Sequence, residues 1–337
     1  MRFGFRTFLV IAWSVAVLAV AVAAGLARLP FYGIGPGPAR EVQPLIAVEG
    51  PRVYASSGRL VMTTVSYRQL TAIGVVLAWL DPDEAVVDES VLFPPGLTSE
   101  EEHRLAISDM DTSKINATFV ALRELTGYPK EHGRGALIQG LVPGCSADGV
   151  LYPGDVVLDV NGRPVADVRA ADRVIDDVPS GDTVIFTVRP LGESTTEDVR
   201  LVRKPCGASK EPLVGIARVP VFPFEVSIGS GDIGGPSAGL MFSLGLYDLL
   251  TPGDLTDGRT VAGTGTIGLD GRVGPIGGIE EKVVAAERTG AEVLLVPARN
   301  FAAALEVAPE GLELVEVGTF QDALDYFGVV GDRQAAA

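Results

Sequence analysis

The chain has 337 residues, 47% apolar and 21% charged, with 43 acidic against 27 basic side chains and a net charge of -16. That length suits two or three domains, and a chain this acidic repels phosphate backbones, which sets nucleic-acid binding aside. Two histidines and two cysteines without Cys-x-x-Cys spacing offer no zinc site, and no Gly-x-x-x-x-Gly-Lys-Ser/Thr phosphate loop occurs, so neither metal, cofactor nor a nucleotide motor is expected.

Residues 8–27, FLVIAWSVAVLAVAVAAGLA, carry no charge. As a helix this run is about 30 Å long, enough to cross a bilayer core. Arg2 and Arg6 precede it, which keeps the N-terminus in the cytoplasm and exports the rest. A cleaved signal peptide competes, with Ala21-Val22-Ala23 as its small-x-small site; the length of the run favours an uncleaved anchor over residues 1–30. Gly33-Ile34-Gly35-Pro36-Gly37-Pro38 then predicts a flexible tether. In an exported chain Cys145 and Cys206 can form a disulfide; two separate thiols are the alternative.

Residues 31–126 are expected to form an exported region of strands and a helix. VYASSGRLVMTTVSY reads as two strands around a Ser57-Gly58 turn. Ile115, Phe119, Leu122 and Leu125 recur at helical spacing, and Gly127 and Pro129 end a helix over 99–126. This region receives no chemistry. His103, among Glu100, Glu101, Glu102 and Arg104, reads as a solvated helix residue.

Residues 127–207 show a compact β-rich pattern, with turns at Pro143-Gly144, Pro153-Gly154, Asn161-Gly162 and Ser180-Gly181 around a helical AADRVIDDV. Gly154-Asp155-Val156-Val157-Leu158, then Val160-Asn161-Gly162 and Ser180-Gly181-Asp182, resemble a PDZ domain of the bacterial protease-associated type. The resemblance implies that an extended peptide adds as a strand at one sheet edge, its carboxylate held by backbone amides. The expected cradle is Leu125-Thr126-Gly127-Tyr128, which makes Gly127 and Tyr128 candidate peptide-binding residues. A spacer that positions or gates the next domain is the alternative.

The segment from Gly229 to Gly239 is a glycine-rich turn that feeds an apolar helix, LMFSLGLYDLL. Pro236 suits a first helical turn, and free amides at a helix start can hold an oxyanion. Ser237 on that turn is either a nucleophile or a helix cap. Gly235-x-Ser237-x-Gly239 fits an α/β-hydrolase elbow, yet no histidine follows it. Gly231-Asp232-Ile233-Gly234-Gly235 puts isoleucine where a trypsin-like enzyme needs serine. A Ser–Lys dyad remains, and Lys282 is the one lysine after Ser237. Ile279, Val283 and Ala286 give the IEEKVVAAERTG helix an apolar face with Lys282 on or beside it, while Glu280, Glu281 and Glu287 are assigned to the wet side. A lysine so placed either snorkels outward or is desolvated, and desolvation makes it a usable base.

Gly235-Pro236-Ser237-Ala238-Gly239, followed by Thr264-Gly265 and Gly271-Arg272-Val273-Gly274-Pro275-Ile276-Gly277-Gly278-Ile279-Glu280-Glu281-Lys282, resembles the Lon proteolytic domain. The likeness spans about residues 210–328 and includes Val293-Leu294-Leu295-Val296-Pro297 and Asn300. It implies Ser237 as nucleophile, Lys282 as general base and Thr264 as the hydroxyl that orients the lysine. Many Lon proteins carry an acid three positions before the serine; here that position is Gly234, with Asp232 out of register. Backbone amides from Gly234 and Gly235 to Ser237 are left as oxyanion support.

The expected fold class is α+β and multidomain: a transmembrane helix, a PDZ-like β-rich domain at 127–207, a Lon-type α/β proteolytic domain at 208–330 and a tail at 331–337. The combination resembles a bacterial exported PDZ–Lon family. It implies an ATP-independent serine endopeptidase of the cell membrane, single-pass with its catalytic domain extracytoplasmic, acting on exported or membrane-proximal polypeptides selected or gated by the PDZ domain. A catalytically weak PDZ scaffold is the alternative. Lon-type domains often form rings, so a homo-oligomer is compatible with the reading.

Overall fold

The computed structural model describes residues 4–92 and 98–328 as an α+β chain. Arg2 and the tail at 331–337 lie outside the described residues. Helix α1 (Phe5–Leu26) contains the one stretch among the described residues, Phe8–Leu26, that is long and apolar enough to cross a bilayer, and none of it is buried. Strand β1 (Arg28–Pro36) follows at once. The short strands β2 (Arg40–Glu41) and β3 (Ile46–Val48) come next, then β4 (Arg59–Met62), β5 (Val65–Thr71), helix α2 (Ala72–Leu80), β6 (Ala85–Asp88) and the single turn α3 (Glu89–Leu92).

Two expectations change here. The glycine-rich tether is ordered: β1 is the middle strand of an antiparallel sheet, order β5-β1-β6. Its glycines permit close packing rather than freedom, since a Cβ at Gly33 would run into the Glu84 carboxylate. The hairpin around Ser57-Gly58 does not form, because β4 and β5 enter different sheets. The turn is held instead by the Asp254 carboxylate, which accepts from the Ser57, Gly58 and Gly258 amides at 3.2, 3.1 and 3.0 Å.

Helix α4 (Ser99–Leu125) starts on a capping box between Thr98 and Glu101, which satisfies two otherwise orphaned donors at its first turn. The β-rich unit follows: β7 (Gly133–Leu141), β8 (Val156–Val160), β9 (Arg163–Pro164), helix α5 (Val168–Asp176), β10 (Thr183–Arg189), β11 (Glu197–Val202), β12 (Lys204–Pro205), β13 (Pro212–Leu213) and β14 (Ile216–Val221). Its main sheet runs β11-β10-β8-β7-β14. Alternate residues of β10 (Val184, Phe186 and Val188) face inward against Ile138, Val157 and, from α5, Ala171 and Ile175. Cys145 and Cys206 form a disulfide that ties the β7–β8 connection to the β12–β13 hairpin.

The remaining elements are β15 (Val226–Ile228), α6 (Gly239–Leu250), β16 (Thr260–Gly263), β17 (Thr266–Ile267), β18 (Val273–Gly274), α7 (Ile279–Arg288), β19 (Val293–Pro297), α8 (Phe301–Val307), β20 (Glu313–Val317) and α9 (Phe320–Tyr326). Their central sheet has the order β2-β4-β16-β19-β20, with β4, β16, β19 and β20 parallel. Parallel strands buried on both faces read as continuous apolar runs, which is what β19 is. β4 and β2 come from the N-terminal region, β3 pairs with β15, and α4 packs along α6 in the same core. Residues 40–62 and 99–125 therefore belong to the body that carries α6 and α7, and the β-rich unit is inserted between α4 and β15. β14 lies beyond residue 207, so that unit also crosses the division expected there.

Candidate active site

Ser237 sits on the turn between β15 and α6. The chain cannot enter α6 earlier: Gly235 has φ +85°, a conformation that suits glycine, and Pro236 follows. The helix proper begins at Gly239, where a Cβ would lie 2.7 Å from both Ile267 and the Ser113 hydroxyl. Ala238, not Ser237, is the capping residue, and no side chain caps the helix. The Ser237 hydroxyl is thus free of a capping role. Among the described residues, nothing accepts from the Ser237 or Ala238 N–H, so both amides are available to an incoming oxyanion.

Lys282 comes from the first turn of α7. Ile279, Val283 and Ala286 are buried on that helix as its spacing predicts, and Lys282 is buried with them at 2% exposure. It does not snorkel. Its Nζ donates to Ser237 Oγ at 3.0 Å and to Thr264 Oγ1 at 2.9 Å. Burial away from water brings its pKa down to about 8. Glu281, assigned to the wet side, is also buried, and desolvation raises its pKa. Its carboxylate folds back to the helix start, where a Cβ at Gly278 would meet it at 3.3 Å and Val65 at 2.7 Å.

Thr264, fully buried at the end of β16, fixes the lysine. Its hydroxyl donates to the Ser237 carbonyl at 3.2 Å, which leaves its oxygen to accept from Lys282. The adjacent Gly265 N–H also donates to the Ser237 carbonyl, at 2.7 Å. One end of β16 therefore positions the serine backbone and the lysine side chain together. A neutral lysine that spends an N–H on Thr264 has its lone pair free to turn toward Ser237 Oγ.

The glycines before the serine have other work. The Gly235 N–H is used: it donates to the Ala106 carbonyl of α4 at 2.7 Å. Position 234 has no room for a side chain, since a Cβ there would lie 2.8 Å from the Ala106 Cβ. α4 fills the place that an acid at this position would need.

The α4 contribution was not visible in the sequence. Ser113 Oγ donates to the Pro236 carbonyl at 2.9 Å and Asn116 Nδ2 to the Ile267 carbonyl at 2.9 Å. Asn300 clasps Ile276 through both its amide nitrogen and its oxygen, at 3.0 Å each, and so holds the turn that launches α7. Ser113 and Asn116 have no spacing that sets them apart from ordinary polar residues of a helix, whereas Asn300 lay within the Lon-type likeness. His103 is exposed, as expected.

At Gly127 and Tyr128 the expected carboxylate cradle lacks one amide, because the Tyr128 N–H donates to Thr126 Oγ1 at 3.1 Å. Tyr128 is 3% exposed; its hydroxyl donates to the Pro220 carbonyl at 2.8 Å and its ring packs on Phe119 and Phe222. This turn anchors the end of α4 to β14. A cavity of about 800 Å³ lies between α4 and the β-rich unit and is lined by Arg104, Thr112, Gln139, Leu141 and Tyr152 among others; Ser237, Thr264 and Lys282 do not line it.

Residues 224–326 match the Lon protease (S16) C-terminal proteolytic domain. The chain is similar to Lon protease 2 of Bacillus subtilis, 40% identical over 93 residues covering 28% of this chain and 16% of that protein. The Lon protease of Phenylobacterium zucineum is 42% identical over 104 residues, 30% of this chain and 13% of that protein. The chain thus aligns with a small fraction of the length of these relatives. Among solved structures it is similar to the PDZ domain of an SdrC-like protein from Listeria monocytogenes, at 22% identity and TM-score 0.23, covering 26% of this chain and 88% of that one. The chain carries a Lon-type proteolytic domain, a serine peptidase domain, behind an N-terminal apolar helix.

Proposed function

We propose that the chain is an endopeptidase that cleaves polypeptides with a Ser237–Lys282 dyad and without nucleotide. The observation that carries this reading is the buried Lys282 Nζ at 3.0 Å from Ser237 Oγ. Neutral Lys282 takes the Ser237 hydroxyl proton as Oγ attacks the peptide carbonyl carbon. The oxyanion is held by the amides of Ser237 and Ala238. The C–N bond breaks, the leaving amine takes the proton from Lys282, and an acyl ester remains on Ser237. Water then attacks that ester as Lys282 again accepts the proton; the ester C–O bond breaks, Ser237 Oγ takes the proton back from Lys282, and the carboxylic product leaves.

The rest of the reading concerns substrate and place. Peptide hydrolysis by the dyad needs no nucleotide, and acting without one it favours unfolded or flexible segments. The apolar α1, with Arg6 at its start, supports a single-pass anchor with the dyad outside the cytoplasm, and the Cys145–Cys206 disulfide suits an oxidising compartment. The β-rich unit selects or gates substrate. Its sheet ends on β14, an edge strand beside α5 that leads directly into β15 and the serine turn.

The full chain in detergent or vesicles is expected to cleave an unstructured polypeptide without ATP, and Ser237→Ala is expected to stop it. Equal cleavage by both proteins overturns the reading. Binding of the polypeptide by the parent with no turnover supports a scaffold instead.

A further inference from the structure

Helix α2, AIGVVLAWL, has no charged residue and leaves most of its apolar side chains outside the protein. Ile73, Val76, Leu77 and Leu80 stand at i, i+3, i+4 and i+7, a single helix face, and are 44, 57, 60 and 68% exposed. Trp79 beside them is 79% exposed. The opposite face is made of small residues: Gly74 and Ala78 are buried and seat the helix on the protein, with Gly74 against Leu70 of β5. A contiguous apolar face of this kind marks a contact surface.

The topology says what covers it. β1 and β5 are antiparallel, and Arg28 at the start of β1 is paired with Thr71 at the end of β5. α1 enters β1 at that end and α2 leaves β5 there, with Thr71 as its N-cap. The two helices touch: a Cβ on Gly25 would lie 3.5 Å from Ile73. Where α1 meets the bilayer surface, α2 meets it too. With 9 residues, α2 is about 14 Å long, less than half of a hydrocarbon core, so it can lie in the interface but cannot span. An exposed tryptophan at one end of an apolar helix suits the headgroup boundary.

We propose that α2 inserts its Ile73, Val76, Leu77 and Leu80 face into the lipid interface as a second membrane contact, and thereby sets the dyad at a fixed height over the bilayer. This rests on reading α1 as the membrane span. The link to the dyad is direct. The sheet that carries α2 packs on α7: Val65 of β5 abuts Gly278 at the start of the Lys282 helix, and Arg288 at its end pairs with Asp83, just after α2, at 2.6 Å. The substrates that reach a dyad held so are segments near the membrane surface. The contact is apolar and not electrostatic, because a chain of net charge -16 is repelled by anionic lipid.

The chain has two tryptophans, Trp13 in α1 and Trp79 in α2, so Trp13→Phe leaves Trp79 as the sole indole reporter. This full-length variant is reconstituted in phosphatidylcholine vesicles, with or without lipids brominated near the glycerol backbone. The expected result is blue-shifted Trp79 emission, loss of most of it on shallow bromination, and no change at high salt. Adding Leu77→Glu and Leu80→Glu is expected to abolish the bromolipid quenching. Red emission quenched by iodide and not by brominated lipid overturns the proposal. So does emission shielded from iodide but untouched by brominated lipid, which means a second copy or the protein itself covers the helix. Alkaline carbonate separates this from the underlying reading. A chain extracted from the vesicles refutes the α1 span and the proposal with it; a chain that resists extraction with Trp79 unquenched refutes the α2 contact alone.

Discussion

Lys282 Nζ stands 3.0 Å from Ser237 Oγ although the two residues are 45 positions apart in the chain. Two different helix starts make that distance, each packed at a glycine: a Cβ at Gly239 would lie 2.7 Å from Ile267, and one at Gly278 would lie 2.7 Å from Val65. Removal of either partner is expected to stop hydrolysis while leaving the fold intact. Ser237→Ala and Lys282→Ala should each lower kcat by about 10³-fold or more, and the double variant should fall little further, because the two act as one unit. Progress curves on an unstructured substrate check this; additive losses would mean that the two residues act independently.

The base works only when neutral, and burial brings Lys282 to about 8 from an ordinary 10.5. Activity is therefore expected to climb about tenfold per pH unit below that value and to level off above it. Lys282→Arg, whose guanidinium stays charged, should be inactive across the whole range. A kcat/KM profile flat between pH 6 and pH 9, about two decades of expected change, is incompatible with this base.

The same shift has a cost in stability, with a sign that can be stated. Between about 8 and 10.5 the unfolded chain binds a proton at Lys282 that the folded chain does not. Stability at this position is complete above the unfolded value and is lost as the pH falls toward 8. Lys282→Met keeps the length of the side chain and removes the ionisation, so it is expected to raise stability at neutral pH by up to about 3 kcal/mol. The gain should vanish in alkaline solution. Urea denaturation at both pH values is the check, and a variant less stable than the parent at neutral pH contradicts it.

Thr264 is a positioning residue, and its substitution separates position from bulk. Thr264→Val keeps the volume and removes both the acceptor for Lys282 and the donor to the Ser237 carbonyl. It should lower kcat by about 10- to 100-fold with little change in KM. Thr264→Ser should recover most of the loss. If valine and serine behave alike, the hydroxyl is not what orients the lysine.

How far these relationships could be read in advance depended on their range. The dyad was legible because both motifs are local: a Gly-Pro-Ser-Ala-Gly turn, and a lysine on a helix face defined by Ile279, Val283 and Ala286. The α1 helix was legible as an apolar run. What was hidden is long-range pairing. β1 read as a tether because Gly33 and Gly35 look flexible until Glu84 packs over them. β4 read as half of a hairpin, yet it pairs with β2 and with β16, where Arg59 stands opposite Thr260. Glu281 read as solvated because a charge beside an apolar face ordinarily is; here it is buried, with its carboxylate beside Gly278. No local pattern reports which strand a distant segment will choose.

The sharpest case is Gly234, the departure from the usual Lon pattern. An acid at that position needs space that Ala106 occupies here, with 2.8 Å between the Ala106 Cβ and a Cβ built at residue 234. The neighbouring Gly235 N–H is bonded to the Ala106 carbonyl, so α4 cannot simply back away. Gly234→Asp is therefore expected to lose activity and to destabilise the protein by about 1–3 kcal/mol, the usual result of overpacking, rather than to restore a missing catalytic group. Ala106→Gly in the same chain opens the space and should recover stability and a large part of the activity. If Gly234→Asp alone is as stable as the parent and more active, then α4 is not what excludes the acid, and the serine turn is looser than its hydrogen bonds to α4 imply.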